Sequence, residues 1–444
     1  MTDPEIREQL IAREKRHIWH PFTQMRDWEA DDPLFIASGD GVKVRDIDGR
    51  EYYDANSSLW VTVHGHNRPE INAAIEAQLH KIAHSTLLGL THEPAVELAE
   101  RLVKIVPPGL ERVFYSDSGS TAVEIAIKMA YQYWHHVGQE RSKFIALSDG
   151  YHGDTVGAVS VGGIGLFHGI FRKLLFDCEF APCPAKAASL ADAVEGVEAV
   201  LQRDAASVAA IIAEPLIQAA GGMLVAPRGF LAALRALCDR YDVLLIVDEV
   251  ATGFGRTGRM FACEHEGVTP DLMTVAKGLT GGYLPLAATL ATDRVYRAFL
   301  GEYGELKTFF HGHSYTGNPL ACAAALASLD IFERDKVIDG LAPKIDLVTS
   351  ILDEIRTLPN VGQISQIGLM VGIEVVASKE PRVEYPFEAA VGARICRRAR
   401  EMGLITRPLG NMIIFMPMLS ATSDELRAML GIIRAAIVAG VRQA

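Results

Sequence analysis

The stretch from Val243 to Lys277 constrains this chain more than any other. It reads VLLIVDEVATGFGRTG, then a loop, then DLMTVAKGLTGG. Val243 to Val247 is an unbroken apolar run closed by Asp248. A run of that kind suits a central strand of a parallel sheet, buried on both faces. Asp248 and Glu249 are then expected at the carboxyl end of the strand, where open α/β sheets bind their ligands. A second apolar segment, Leu272 to Ala276, delivers Lys277 into a glycine-rich loop, Gly278 to Gly282.

A carboxylate at one strand end and a lysine at the next apolar stop are the two charged parts of a pyridoxal phosphate (PLP) site. The lysine carries the cofactor covalently and the carboxylate pairs with its pyridinium nitrogen. On spacing alone, a helix cap at Asp248 and a solvated Lys277 stand equally open. Gly253, Gly255 and Gly258 also spell the dinucleotide fingerprint GxGxxG. That fingerprint should open a helix. Here the glycines run into Arg259 to His265, which has no clean apolar helical face, so the nucleotide reading is set aside.

The 444 residues are 49% hydrophobic and 22% charged, enough for a large core and more than one domain. A net charge of −12 argues against nucleic acid and against an anionic membrane. The six cysteines are scattered without a CxxC pair, the pattern of reduced thiols in a cytoplasmic protein. The first residues, MTDPEIREQL, have no signal-peptide core, and no run approaches the ~18 apolar residues of a membrane span.

Taken in order, residues 4–16 read as a short polar helix, followed by the aromatic segment HIWHPFTQM broken at Pro21. Leu34–Ile36, Val42–Val44 and Glu51–Tyr53 read as an antiparallel meander. Ser57-Ser58-Leu59-Trp60 and His64-Gly65-His66 follow, then helices over about 69–84 and 93–106. His64 with His66, like His311 with His313, lacks further ligands at zinc-like spacing, so no metal is expected. The strand 112–115 ends in Ser116-Asp117-Ser118-Gly119-Ser120, and a helix begins at once. That arrangement turns free N–H groups and a positive dipole end towards a phosphate. Gly119 allows close approach, and the Ser120 hydroxyl can add a bond.

The strand 144–147 leads to Gly150-Tyr151-His152-Gly153-Asp154, where an aromatic between glycines can lie flat on a planar ring. The strand 208–213 ends in Glu214-Pro215, and a helix over 228–240 leads to the Val243 strand. Strand and helix alternate throughout 112–295, which predicts a parallel sheet with covering helices. The hydroxyl-rich turn His311 to Asn318 precedes a helix over 319–334, capped by Asn318-Pro319. Beyond Lys336 the pattern becomes α+β: helix 341–357, strands near 362–376, helix 388–402 and strand 412–416. In Ile405-Thr406-Arg407-Pro408, an arginine at a strand entry can clamp a carboxylate bidentately.

Laid out this way, the chain resembles the class III (ω-type) aminotransferases of PLP fold type I over essentially its whole length. The resemblance rests on DEVATGFGRTG followed by AKGLTGG. It extends through HIWHPFTQM, DSGSTAVEIAIKMAYQYW, GYHGDTVGAVSV, FACEHE, HGHSYTGNPLACAAALASL and ITRPLG. It points most closely to the biotin-pathway branch, whose keto acceptor is 8-amino-7-oxononanoate. The resemblance implies an α/β fold: a large domain over 60–330 with a mostly parallel central sheet, and a smaller α+β domain. The smaller one would combine the N-terminal segment 1–59 with residues 331–444. It further implies a homodimer with active sites at the subunit interface, and PLP as cofactor.

Residue by residue, Lys277 would hold PLP and move protons, Asp248 would keep its ring nitrogen protonated, and Tyr151 would stack on the ring. Gly119 and Ser120 would bind the phosphate, with Ser314 arriving from the partner subunit; Glu214 would belong to the same shell. Arg407 would pair with the carboxylate of the acceptor. The remaining substrate wall would be Phe22, Leu59, Trp60 and Asp154. Members that take their amine from S-adenosylmethionine share a Ser-Ser-Trp-Trp segment and a tyrosine after Trp-His-Pro. Leu59 and Phe22 replace those aromatics here, which is closer to the subgroup using L-lysine. A broad ω-amine:pyruvate transaminase and a catalytically idle PLP-fold or nucleotide-binding protein are the other readings, and intact Lys277 and Asp248 argue against the idle one.

Overall fold

The computed structural model describes residues 4–441. The outer limits expected for the smaller domain, residues 1 and 444, lie outside the described residues, as does the start of MTDPEIREQL.

The buried apolar runs assemble into one seven-stranded sheet. Its spatial order is Leu110–Ser116, Ala287–Thr292, Leu272–Val275, Leu244–Asp248, Val208–Ala213, Lys143–Leu147 and Glu179–Ala181. Val208–Ala213 and Leu244–Asp248 are buried at every position, as continuous apolar runs demand when both faces are covered. Leu244–Asp248 pairs in parallel on both sides, Asp248 standing opposite Thr274. The helix Gly119–His136 lies along one face. It is fixed there by Trp134 Nε1 donating to the Ala209 carbonyl (2.7 Å) and by Thr289 Oγ1 donating to that of Ala122 (2.8 Å).

One strand departs from the expected parallel pattern. Ala287–Thr292 runs antiparallel to both of its neighbours. Residues 276–286 are too short a link for the crossover helix that a parallel return requires. The chain instead makes a 3₁₀ turn at Lys277–Thr280 and doubles back.

Both ends of the chain join in smaller sheets. The meander Ile36–Asp40, Lys43–Asp46 and Glu51–Asp54 gains a fourth strand, Leu404–Ile405, parallel to Glu51–Asp54. Val361–Ile367, Met370–Lys379, Met412–Phe415 and Pro408–Leu409 form another sheet, with Arg382–Glu384 at its side. The meander begins two residues later than its apolar pattern suggests, the helix Pro69–Lys81 stops short of His84, and Val391–Glu401 starts after residue 388. The apolar helix Ser423–Val441 closes the described chain. No helix among the described residues is long and apolar enough to cross a membrane.

Candidate active site

A cavity of about 810 Å³ opens above the carboxyl ends of the central strands. Asp248, the last residue of its strand, is 4% exposed there. Its Oδ1 accepts from the backbone N of Val250 (3.0 Å) and from Thr274 Oγ1 (3.1 Å). Its Oδ2 lies 2.7 Å from Nδ1 of His152, which is buried beside it. An imidazole in that position fixes the carboxylate's orientation. Glu249 does not share the cavity. It turns into the core, accepting from Thr252 Oγ1 and from the Cys263 backbone N.

Lys277 sits two residues past its own strand with a φ of 49°, in the left-handed region. Gly278 must follow: a Cβ there would stand 2.9 Å from that of Phe254. Lys277 Nζ makes no hydrogen bond or ion pair among the described residues and lies 4.8 Å from the centre of the Trp60 ring. Burial pushes its amine down to about 8, against the opposing pull of Asp248 and Glu214. Glu214 accepts from the backbone N of Tyr151 (3.1 Å) and of Ala219 (2.9 Å). Burial nevertheless pushes Glu214 up to about 7, and the Asp248 carboxylate adds to the rise.

At the opposite end of the floor, Ser118 caps the helix Gly119–His136 by accepting from Thr121 N. The first-turn N–H groups of Gly119 and Ser120 have no intrahelical partner and face the cavity. A Cβ on Gly119 would meet Val250 at 2.5 Å, so this approach is closed to other residues. Ser120 Oγ contacts Thr155 Oγ1 (2.8 Å) and accepts from Thr155 N (3.0 Å). An amine free of partners, a carboxylate at a strand end and an open helix N-terminus thus line one cavity. Those three features fit the aldehyde, ring nitrogen and phosphate of PLP.

The structure also brings Tyr151, Phe22, Leu59, Trp60, Asp154 and Arg407 to the wall of the same cavity. Tyr151 donates its hydroxyl to Asp154 Oδ2 (2.8 Å), and its phenol is raised by burial first and by Asp154 second. Phe22 packs edge-on against Phe167 with centroids 5.5 Å apart. The Arg407 guanidinium has no carboxylate partner among the described residues. Ser314, in contrast, is exposed and lies away from the cavity wall.

His152 and Arg256 are the contributors that the sequence reading passed over. Arg256 is 1% exposed and donates to the carbonyls of Trp60, Thr62 and Pro417. Nothing in GYHGD signals a partner 96 positions away, and Arg256 sits inside a motif read for its glycines. His64 and His66 face different partners, Ser328 and Asp54. Among the described residues no cluster of three or more His, Cys, Asp or Glu is placed to hold a metal.

Sheet, crossover helices and strand-end lysine together define a PLP-type transferase of fold type I. Within that class the chain belongs to the class III aminotransferases, whose family profile matches residues 25–437. A Geobacter sulfurreducens protein named adenosylmethionine-8-amino-7-oxononanoate aminotransferase is 52% identical over 93% of this chain and 94% of its own. The crystal structure of the like-named Methanocaldococcus jannaschii protein superposes with a TM-score of 0.94 at 46% identity, covering 97% of this chain and 99% of that one. An ω-transaminase from Pseudomonas jessenii in complex with PMP superposes at 0.93 with 30% identity, covering 98% of each.

Proposed function

We propose that this transaminase uses PLP to convert 8-amino-7-oxononanoate into 7,8-diaminononanoate, a step of biotin synthesis, with S-adenosylmethionine or L-lysine as amino donor. One observation carries the reading: Lys277 Nζ and the unpaired guanidinium of Arg407 open into a single, otherwise largely apolar cavity. That suits a long aliphatic ketone with a carboxylate at its far end. Relatives at about half identity bear the name of that reaction.

PLP, when bound, supplies the aldehyde that takes up the amino group and the ring that spreads the charge left on carbon. Asp248, fixed by His152 and Thr274, keeps the ring nitrogen protonated. Lys277 Nζ, held near 8 by burial, is neutral often enough to take the proton from one carbon and return it to another. The N–H groups of Gly119 and Ser120 hold the phosphate, and Tyr151 covers the ring. Glu214 orders the Tyr151 backbone. Arg407 receives the acceptor's carboxylate, and Asp154 meets an amino group of the substrate. Phe22, Leu59 and Trp60 exclude water from the aliphatic part.

The position of Ser314 outside its own cavity supports a homodimer in which it reaches the phosphate of the partner's site. The separate sheets support a large domain over 60–330 and a smaller one drawn from both termini. The donor is tested by half-reactions. Purified holoenzyme is mixed with L-lysine or S-adenosylmethionine alone, and the cofactor's absorbance is followed. Bleaching with lysine marks Leu59 and Phe22 as a lysine-type wall; bleaching with S-adenosylmethionine shows that those replacements are tolerated. If only simple ω-amines bleach it, the broad ω-amine:pyruvate reading, favoured by the P. jessenii likeness, replaces this one.

A further inference from the structure

The four residues Ser57, Ser58, Leu59 and Trp60 all have positive φ, at 46°, 50°, 78° and 71°, and none is glycine. L-residues avoid that region because Cβ crowds the following carbonyl, and they visit it singly rather than in runs. A run of four persists only where the surroundings over-determine it. Its own hydrogen bonds close the turn: Leu59 N and Trp60 N donate to the Asn56 carbonyl, and Val61 N and Thr62 N to that of Ser57. Those bonds hold the turn together but do not favour this hand over the other.

The hand is imposed from outside. Asp54, 3% exposed, receives Ser58 N at Oδ1 (3.0 Å) and the Ser58 hydroxyl at Oδ2 (2.7 Å). Its Oδ2 also faces His66 Nε2 at 3.1 Å. Burial alone would raise this carboxyl, but His66 and Ser58 hold it below the usual carboxylate range. Further along, Ser57 Oγ donates to the Met416 carbonyl and Trp60 Nε1 to Asn56 Oδ1. The outcome is a wall: Leu59 half-exposed to the cavity, and the Trp60 ring beside Lys277 Nζ.

We propose that Asp54 is a positioning residue for the amine exchange. Through Ser58 it holds the left-handed turn Ser57–Trp60, and that turn sets Leu59 and Trp60 as the surface that discriminates between amine donors. The proposal rests on the transaminase reading of this cavity. Asp54 touches neither substrate nor cofactor; it acts through the backbone of Ser58.

The test uses holoenzyme and three variants: Ser58→Ala, which removes one hydroxyl at an exposed position, Asp54→Asn, which keeps acceptor and shape, and Asp54→Ala. Half-reactions are followed with L-lysine, S-adenosylmethionine and 7,8-diaminononanoate separately. Ser58→Ala and Asp54→Asn should raise the KM of the working donor about tenfold, or shift the ratio between donors by that factor. The limiting rate with 7,8-diaminononanoate should change less than about threefold. Asp54→Ala should show the larger effect in the same direction, with Asp54→Asn as partial rescue. Unchanged KM and donor ratio in both Ser58→Ala and Asp54→Asn would overturn the proposal, as would an equal loss of limiting rate with every amine. If the unaltered enzyme bleaches with none of the three, the 8-amino-7-oxononanoate reading falls and takes the proposal with it.

Discussion

The floor of the cavity and its outer wall are made by different means. Asp248, Lys277, Gly119 and Ser120 stand where regular elements end, at two parallel strands and the first turn of an 18-residue helix. Their neighbours in space are the neighbours that a βα sheet always provides. Beyond Tyr151 and Asp154, the wall comes from Phe22, Leu59, Trp60 and Arg407, all four on irregular segments towards the two ends of the chain. Those segments are held by distant partners, as when Ser57 reaches Met416 and Arg256 reaches Trp60, Thr62 and Pro417. Chemistry common to a family can reside on the floor, while choice of substrate can drift on the wall without disturbing the sheet.

If that division is right, damage to the floor should abolish turnover and damage to the wall should alter affinity. Lys277→Ala should lower turnover by about 10⁴-fold or more, because the residue proposed to move the proton is gone. Steady-state rates check this, and near-normal activity would break the comparison at its root. Asp248→Asn keeps the shape but removes the charge proposed to face the ring nitrogen, and should lower kcat by about 10²–10³-fold. On the wall, Arg407→Ala should raise the acceptor's KM by about 10–100-fold, the worth of one charged clamp, while kcat falls much less. An equal fall in kcat would move Arg407 to the floor.

The smallest effect concerns stability. Lys277 releases its proton at about 8 in the folded chain and at 10.5 in the ordinary state. Between those values the unfolded chain holds a proton that the folded one has lost, so this site makes stability rise with pH across that window. Cofactor-free Lys277→Met should therefore be more stable than the parent by about 1–3 kcal/mol at pH 7. The gap should close as pH passes from 8 to 10.5; urea melts at several pH values read it directly. A constant gap would show that the amine is not desolvated on the floor.

The same division explains what could be read before folding. The run Val243–Val247 ending at Asp248, and Leu272–Ala276 ending at Lys277, state their role through local pattern, as does the Ser118-Gly119-Ser120 turn. The antiparallel return at Ala287–Thr292 was not legible, because strand direction depends on how long the link is and not on the strand's own residues. His152 against Asp248, and Asp54 against Ser58, were hidden for different reasons. The first pair lies 96 positions apart; the second lies four apart but requires a left-handed backbone that no glycine announces.

The pairing of Leu404–Ile405 with Glu51–Asp54 sets an order in time. The meander leaves the ribosome roughly 350 residues before its fourth strand is made, an interval of about 20–70 s at ordinary elongation rates. During that interval the floor can assemble, since all its strands lie before residue 293. The wall cannot, for Met416 and Pro417 have not been translated. A nascent chain thus has the strands that carry Asp248 and Lys277 early, and the segments that hold the wall only once residues 404–417 are made.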